Sequence, residues 1–356
     1  MAMFAVERNS KTRLLLDVSS GKIRGLSSSV FFPDATCAFE NGGWLLMLQR
    51  KPPSGFFTER AAGAVFLLHP GTGRRLDLPP YDSSSDDELF VFHVDSHGTP
   101  LVATRVETLG FVPTVHVACP GDTYWSVYEH DTTDIAVVDP PPPRGESRAT
   151  PRRRQRRLLD PASFVDVALL GTQAVFLDAN GEVVVFDLAE TAWRRRTPAV
   201  RPDSGFGQYA RSLVAAGGEV LLVSRPRRTA AEKNAFRFFK LDMEALEWSP
   251  LERRELEDTS WFLRRGQSFR AKDTGRRRVY TFSGPEHCGG GGGSVAAEAS
   301  VAAGSFSLGQ GMSMKAITNV YACDLDDGSV EMVMPASIVT EAHHWVRPSV
   351  FATPAT

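Results

Sequence analysis

Residues 174–193 read Ala174-Val175-Phe176-Leu177-Asp178-Ala179-Asn180-Gly181-Glu182-Val183-Val184-Val185-Phe186-Asp187-Leu188-Ala189-Glu190-Thr191-Ala192-Trp193. Two apolar runs, Ala174–Leu177 and Glu182–Phe186, flank Asp178-Ala179-Asn180-Gly181. Asn-Gly supplies the positive φ angles of a tight turn, so the stretch reads as a β-hairpin. Both runs have strand length and are rich in β-branched and aromatic residues.

The same pattern recurs along the chain. Ala64–Leu68 and Arg75–Leu78 flank His69-Pro70-Gly71-Thr72-Gly73. Phe236–Leu241 and Trp248–Leu251 flank a six-residue link, and Val320–Leu325 and Ser329–Met332 flank Asp326-Asp327-Gly328. Further strand-like runs are Trp44–Leu48, Leu89–Val94, Ile135–Val138, Glu219–Val223 and Arg278–Phe282. Helical spacing is scarce, and Ala230–Asn234 is the one stretch read as a short helical turn. Within the hairpins a step recurs. Phe186-Asp187-Leu188 precedes Trp193, Lys240-Leu241-Asp242 precedes Trp248, and Cys323-Asp324-Leu325 is a third instance without the Trp. The step resembles the outer hairpin of a kelch-like propeller blade. One four-stranded blade cannot bury both of its faces, so neighbouring blades must cover each other around an axis. At roughly 45 residues per blade the chain accommodates about six to eight, and seven is expected. The fold class is therefore all-β, a single kelch-like β-propeller over residues 1–356.

Of 356 residues, 42% are hydrophobic and 23% charged, an ordinary globular composition. Forty Lys and Arg face 42 Asp and Glu, for a net charge of −2. That balance argues against nucleic acid and anionic membrane as partners. The four cysteines, Cys37, Cys119, Cys288 and Cys323, lie far apart with no CxxC pair. They predict reduced thiols and no zinc site. Charge arrives by Glu7, which argues against a signal peptide, and no apolar run reaches the roughly 18 residues of a membrane span. Cytoplasm or nucleus is the expected location.

The landmarks resemble one family, the plant F-box-associated propellers with the KIB-type β-propeller domain. Gly43-Trp44-Leu45 is similar to its opening strand. His69-Pro70-Gly71-Thr72-Gly73-Arg74-Arg75-Leu76-Asp77-Leu78-Pro79-Pro80 resembles its "NP-TG--I-LPP" hairpin, with His69 in place of the usual Asn. Gly121-Asp122-Thr123-Tyr124-Trp125 resembles "GD-W", and Gly218–Arg225 resembles the "GELLLV-R" strand. Phe239-Lys240-Leu241-Asp242 with Trp248, Leu251 and Phe262-Leu263 is similar to "FKLD----W--L---FL". Trp345-Val346-Arg347-Pro348-Ser349 resembles the closing "W--PS". The resemblance implies a non-catalytic module that binds a protein partner. It also implies a substrate-recognition role in a Skp1–cullin–F-box ubiquitin ligase as the alternative. Residues before Trp44 lack an F-box-like leucine pattern. Met3–Val6 and Arg13–Asp17 read as strands, and one of them is expected to pair with the closing strand near Trp345. A ligase role would therefore need another subunit.

A search for catalytic motifs leaves a propeller enzyme as the remote reading. There is no Gly-x-Ser-x-Gly elbow. Gly289–Gly293 is followed by Ser294-Val295 without a P-loop lysine and reads as a flexible linker. His343-His344 and His287-Cys288 are adjacent pairs, which a strand points to opposite faces, so no metal and no cofactor are expected. The acidic run Asp82–Glu88 lacks the glycine and distal Glu of a calcium loop and reads as a solvated link. Two segments, 139–157 and 284–311, fit no blade and are expected as disordered insertions. The first carries Arg152, Arg153, Arg154, Arg156 and Arg157, a candidate nuclear-import signal or else a solvated basic loop. The six Trp residues are expected in blade cores or between blades, and the chain is expected to be a monomer.

Overall fold

A strand that is apolar at every position, such as Val183-Val184-Val185-Phe186, must be covered on both faces, because successive side chains point opposite ways. The chain meets that demand by stacking sheets. The computed structural model describes residues 2–6, 12–17, 22–27, 35–49, 63–81, 89–107, 114–129, 164–178, 183–194, 209–226, 236–272, 277–281, 320–334 and 341–346. The first sheet contains β1 (Ala2–Val6), β2 (Thr12–Asp17) and β3 (Lys22–Ser27). The second is β4 (Ala35–Asn41), β5 (Trp44–Gln49), β6 (Ala64–His69) and β7 (Arg74–Asp77). The third is β8 (Leu89–Val94), β9 (Pro100–Glu107), β10 (Thr114–Ala118) and β11 (Ser126–Glu129). The fourth is β12 (Phe164–Leu170), β13 (Gln173–Asp178), β14 (Val183–Asp187) and β15 (Ala192–Trp193). The fifth is β16 (Tyr209–Ala216), β17 (Glu219–Pro226), β18 (Arg237–Asp242) and β19 (Glu247–Pro250). The sixth joins β20 (Thr259–Leu263), β21 (Phe269–Lys272), β22 (Arg278–Thr281), β23 (Val320–Asp324) and β24 (Val330–Met334) in the order β21-β20-β22-β23-β24. The last strand, β25 (Glu341–Val346), returns to the first sheet beside β1.

The apolar side chains sort by parity. On β14, Val184 and Phe186 join Phe90, Phe92 and Trp44 of the second and third sheets in one cluster. Val183 and Val185 face the other way, onto Leu213, Val220 and Leu222 of the fifth sheet. On β17, Leu221 and Val223 turn instead towards Trp261, Val279 and Tyr321 of the sixth. Each interior sheet is thus sealed on both faces by its neighbours, which is the propeller principle.

The edge strands nearest the axis also pack in sequence: β25 on β4, β4 on β8, β8 on β12, β12 on β16 and β16 on β21. In a propeller such strands ring the central channel. The described residues form six sheets, not the seven blades expected from length. The division by about 45 residues per blade fails because spacing is uneven. The sixth sheet alone extends from Thr259 to Met334.

The expected pairing of chain ends is observed: β1 runs antiparallel to β25, with Met3 opposite Trp345 and Phe4 opposite His344. Every hairpin singled out in the sequence forms, as β6–β7, β13–β14, β18–β19 and β23–β24. The recurrent Asp has a local job. Asp242 Oδ1 accepts the amides of Glu244 (2.8 Å) and Ala245 (2.9 Å), and Asp324 Oδ1 accepts that of Asp326 (2.9 Å). These are side-chain-closed turns, and the Ala245 and Glu244 amides hold the Asp242 carboxyl below its ordinary range.

Candidate binding site at the mouth of the central channel

Asp166 sits on β12 and is fully buried. A buried carboxylate requires compensation. Its Oδ1 accepts the amide of Val167 (2.9 Å) and that of Gly266, and its Oδ2 accepts the amide of Leu213 (2.7 Å) on β16. Gly266 belongs to the link between β20 and β21. The neighbouring Arg265 donates to the carbonyls of Phe164 (3.0 Å) and Val165 (3.2 Å) on β12. Burial pushes the Asp166 carboxyl up to about 7, against the pull of the Gly266, Leu213 and Val167 amides and of Arg265.

This link, the plug, reaches sheets that are not neighbours of the sixth. The sixth sheet packs on the fifth through β21 and β16. Yet residues 264–268 also meet the second, third and fourth sheets. Arg264 lies near Cys37 of β4, and burial draws its guanidinium down to about 10, so it stays charged at neutral pH. Gly266 has a φ of +74°, and a Cβ there would come within 3.3 Å of Leu89 on β8. Glycine is therefore required at the point where the plug passes the β8 wall. Ser268 Oγ closes the link by donating to the Arg264 carbonyl (2.8 Å) and accepting its amide (3.0 Å).

Beside the plug, at the carboxyl-terminal ends of β4, β8, β12 and β16, lies a cavity of ≈ 270 Å³. Phe39, Val94, Val167, Leu169 and Phe269 supply apolar wall, and Glu40, Asn41, His93 and Gln267 supply polar groups. The channel lining is therefore not purely apolar. Asn41 Nδ2 donates to the Phe92 carbonyl (3.0 Å). His93 Nδ1 lies 3.1 Å from the Gly171 carbonyl. A carbonyl only accepts, so Nδ1 carries the proton and Nε2 remains an acceptor in the neutral ring. Among the described residues no group of three or more His, Cys, Asp or Glu gathers as a metal site would require.

A second surface lies on the β10–β11 hairpin. Tyr124 is 73% exposed and Val127 54%. The backbone beneath them is tied down. Trp125 Nε1 donates to the carbonyls of Pro79 (3.1 Å) and Pro80 (3.2 Å), and the Cys119 amide donates to Asp122 Oδ2 (2.7 Å). Trp193 makes the equivalent clamp onto the Tyr128 carbonyl (3.3 Å), and Trp44 onto Gly98 (2.7 Å). Trp44, Trp248 and Trp261 are buried. These five indoles serve as packing or as blade-to-blade ties, and the side chain of Trp345 lies outside the described ones.

The arginines at 152, 153, 154, 156 and 157 lie outside the described residues, as do 82–88, Ala230–Asn234, His287-Cys288 and Gly289–Gly293. His343 and His344 lie on β25. Cys37, Cys119 and Cys323 are in no disulfide. The sequence reading passed over Asp166, Gly266 and Gln267. The available signal was Phe164-Val165-Asp166-Val167, an acid at the centre of an apolar strand, which demands a buried partner set. For Gln267 no such signal exists.

The family model described as KIB1-4 beta-propeller matches residues 15–282. No curated protein matches the chain. Among solved structures, the chain is similar to the Cps50 (Swd1) β-propeller domain of Myceliophteria thermophila. The identity is 13%, covering 90% of this chain and 79% of that one, with a TM-score of 0.38. It is also similar to PorZ, a surface component of the type-IX secretion system of Porphyromonas gingivalis, at 10% identity and a TM-score of 0.35. That match covers 78% of this chain, which spans only 28% of PorZ. The Bombyx mori GH32 β-fructofuranosidase BmSUC1 matches at 12% identity over 66% of this chain and 53% of its own, with a TM-score of 0.26. Similarities this distant carry no functional argument.

Proposed function

The chain belongs to the KIB1-4 β-propeller family, and on that premise we propose that it is a non-catalytic protein-interaction propeller whose contact surface centres on the β10–β11 hairpin. The observation that carries this reading is the exposure of Tyr124 and Val127 on a backbone already fixed by Trp125 and Asp122. Aromatic anchors on rigid supports dominate protein interfaces, because little side-chain freedom is lost on binding. The buried acid of raised pKa, Asp166, also supports a non-catalytic role. Its oxygens are engaged by backbone amides and hold the plug in place.

Affinity capture of the tagged chain from plant tissue, with mass spectrometry, tests the reading. Specific protein partners are expected, and Tyr124→Ala with Val127→Ser is expected to weaken their recovery at least tenfold. The double variant should melt as the parent does, since exposed substitutions change stability by about 0.5 kcal/mol or less. Skp1 and cullin among the partners would extend the role to substrate recognition for a ubiquitin ligase. Other partners alone would make the chain a free-standing adaptor. Recovery of nothing above background, or recovery indifferent to the double variant, overturns this surface.

A further inference from the structure

Gln267 is 5% exposed, and neither end of its side-chain amide has a hydrogen-bond partner among the described residues. It lies in the wall of the cavity at the channel mouth. A buried amide left unsatisfied is costly, and native structures rarely keep one without a reason. Swapping the amide's oxygen and nitrogen changes nothing, because both ends are orphaned. Ser268, its neighbour in the wall, cannot help, since its hydroxyl is already committed to Arg264 in both directions.

The remaining polar groups narrow the chemistry. Gln267 offers one donor end and one acceptor end in a single plane. His93 offers Nε2 as an acceptor, Asn41 contributes Oδ1 while its Nδ2 donates to Phe92, and Glu40 brings a carboxylate, so every group here but the Gln267 N–H calls for a donor. A carboxamide complements this set. Its carbonyl takes the Gln267 N–H, one of its own N–H groups returns to Gln267 Oε1, and its second N–H has acceptors in the same wall. A carboxylate lacks the donors, and an ammonium lacks the acceptor. The volume of ≈ 270 Å³ lies just under the range of roughly 300–1,000 Å³ for drug-sized ligands, which suits one side chain or one small molecule.

We propose that the channel-mouth cavity is a binding site for a single planar carboxamide group, read in two directions by the Gln267 side chain. The group comes either from an Asn or Gln side chain of a bound protein or from a free small amide. The site is separate from the Tyr124 surface, and its chemistry stands or falls independently of it.

The test is a titration of the full-length, nitrogen-15-labelled chain with acetamide, followed at the Gln267 side-chain amide and at the backbone amides of Asn41, His93 and Gly171 in the same wall, which the variants retain. Acetate and methylammonium serve as comparators. A saturable shift with acetamide is expected, with a Kd on the order of millimolar, about what a ligand of four non-hydrogen atoms supports. Acetate and methylammonium should bind at least tenfold more weakly. Gln267→Leu should abolish the acetamide response while keeping or raising the melting temperature, because it replaces an unsatisfied amide by an apolar group of similar size. A melt lowered by Gln267→Leu would show that the amide is structural, and Gln267→Met then repeats the titration in a folded background. A flat acetamide titration, a response equal to that of acetate, or one that survives both variants overturns the assignment. Protein recovered by affinity capture separates the two sources. Partner recovery lost in the Gln267 variants places the amide on a protein. Partner recovery unchanged, with acetamide still binding the parent, assigns it to a free small ligand.

Discussion

A single carboxylate joins three of the sheets. Asp166 ties β12 to β16 through the Leu213 amide and to the channel plug through the Gly266 amide. Burial is the main cause that pushes its carboxyl up to about 7 in the folded chain, well above the ordinary value of 3.8. The folded chain therefore keeps a proton that the unfolded chain has already released between about pH 4 and pH 7. Stability from this group accordingly falls as pH rises through that window. Asp166→Asn removes the titration and sets an amide N–H against a backbone N–H, at a cost of about 1–3 kcal/mol. Urea unfolding of parent and variant at pH 5 and pH 8 checks both effects. The parent should exceed the variant by more at pH 5 than at pH 8. An equal gap at both values would mean that the carboxyl does not titrate in this window. Little of this was legible in the sequence. Two of the three amides that Asp166 accepts lie 47 and 100 residues away, and separations of that size leave no trace in local spacing.

Elements were far more legible than residues, and the reason is parity. Val183 to Phe186 are apolar at consecutive positions, and the structure uses each parity against a different sheet. Local turn chemistry was legible too, because Asp242 and Asp324 close their turns within three residues. What local reading missed was the link from Arg264 to Ser268. It resembles an ordinary turn, yet it reaches β4, β8 and β12. The β10–β11 hairpin provides the test at this scale, since one indole ties it to the second sheet. Trp125→Phe keeps the ring and deletes both bonds to the Pro79 and Pro80 carbonyls. The loss should be about 1 kcal/mol, or roughly 2 °C in a chain of this size. Amide exchange across residues 119–127 should quicken more than in the β13–β14 hairpin. Uniform quickening across both would show that the tie stabilises the whole fold and not the hairpin.

At the scale of the whole molecule, the ring is completed by strands from opposite ends of the sequence. β25 pairs with β1 and packs on β4, so the first sheet is built from both termini. That pairing was legible because a propeller without it leaves two open strand edges, and open edges invite aggregation. The number of sheets was less legible. Length divides evenly only when blades are evenly spaced, and the third and fourth sheets begin as far apart as Leu89 and Phe164. Closure yields the strongest global prediction. Deleting residues 1–18 removes β1 and β2, which leaves β25 without its partner and β3 without its own. The lost ladders and exposed edges amount to several kcal/mol, so the melting temperature should fall by on the order of 10 °C. Light scattering should report self-association through the freed edges of β3 and β25. The packing of β12 on β16 lies away from the gap and should retain its protection against amide exchange until global unfolding. An unchanged melt with no self-association would show that the ring holds without this seam. The stability would then reside in the contacts among the remaining sheets.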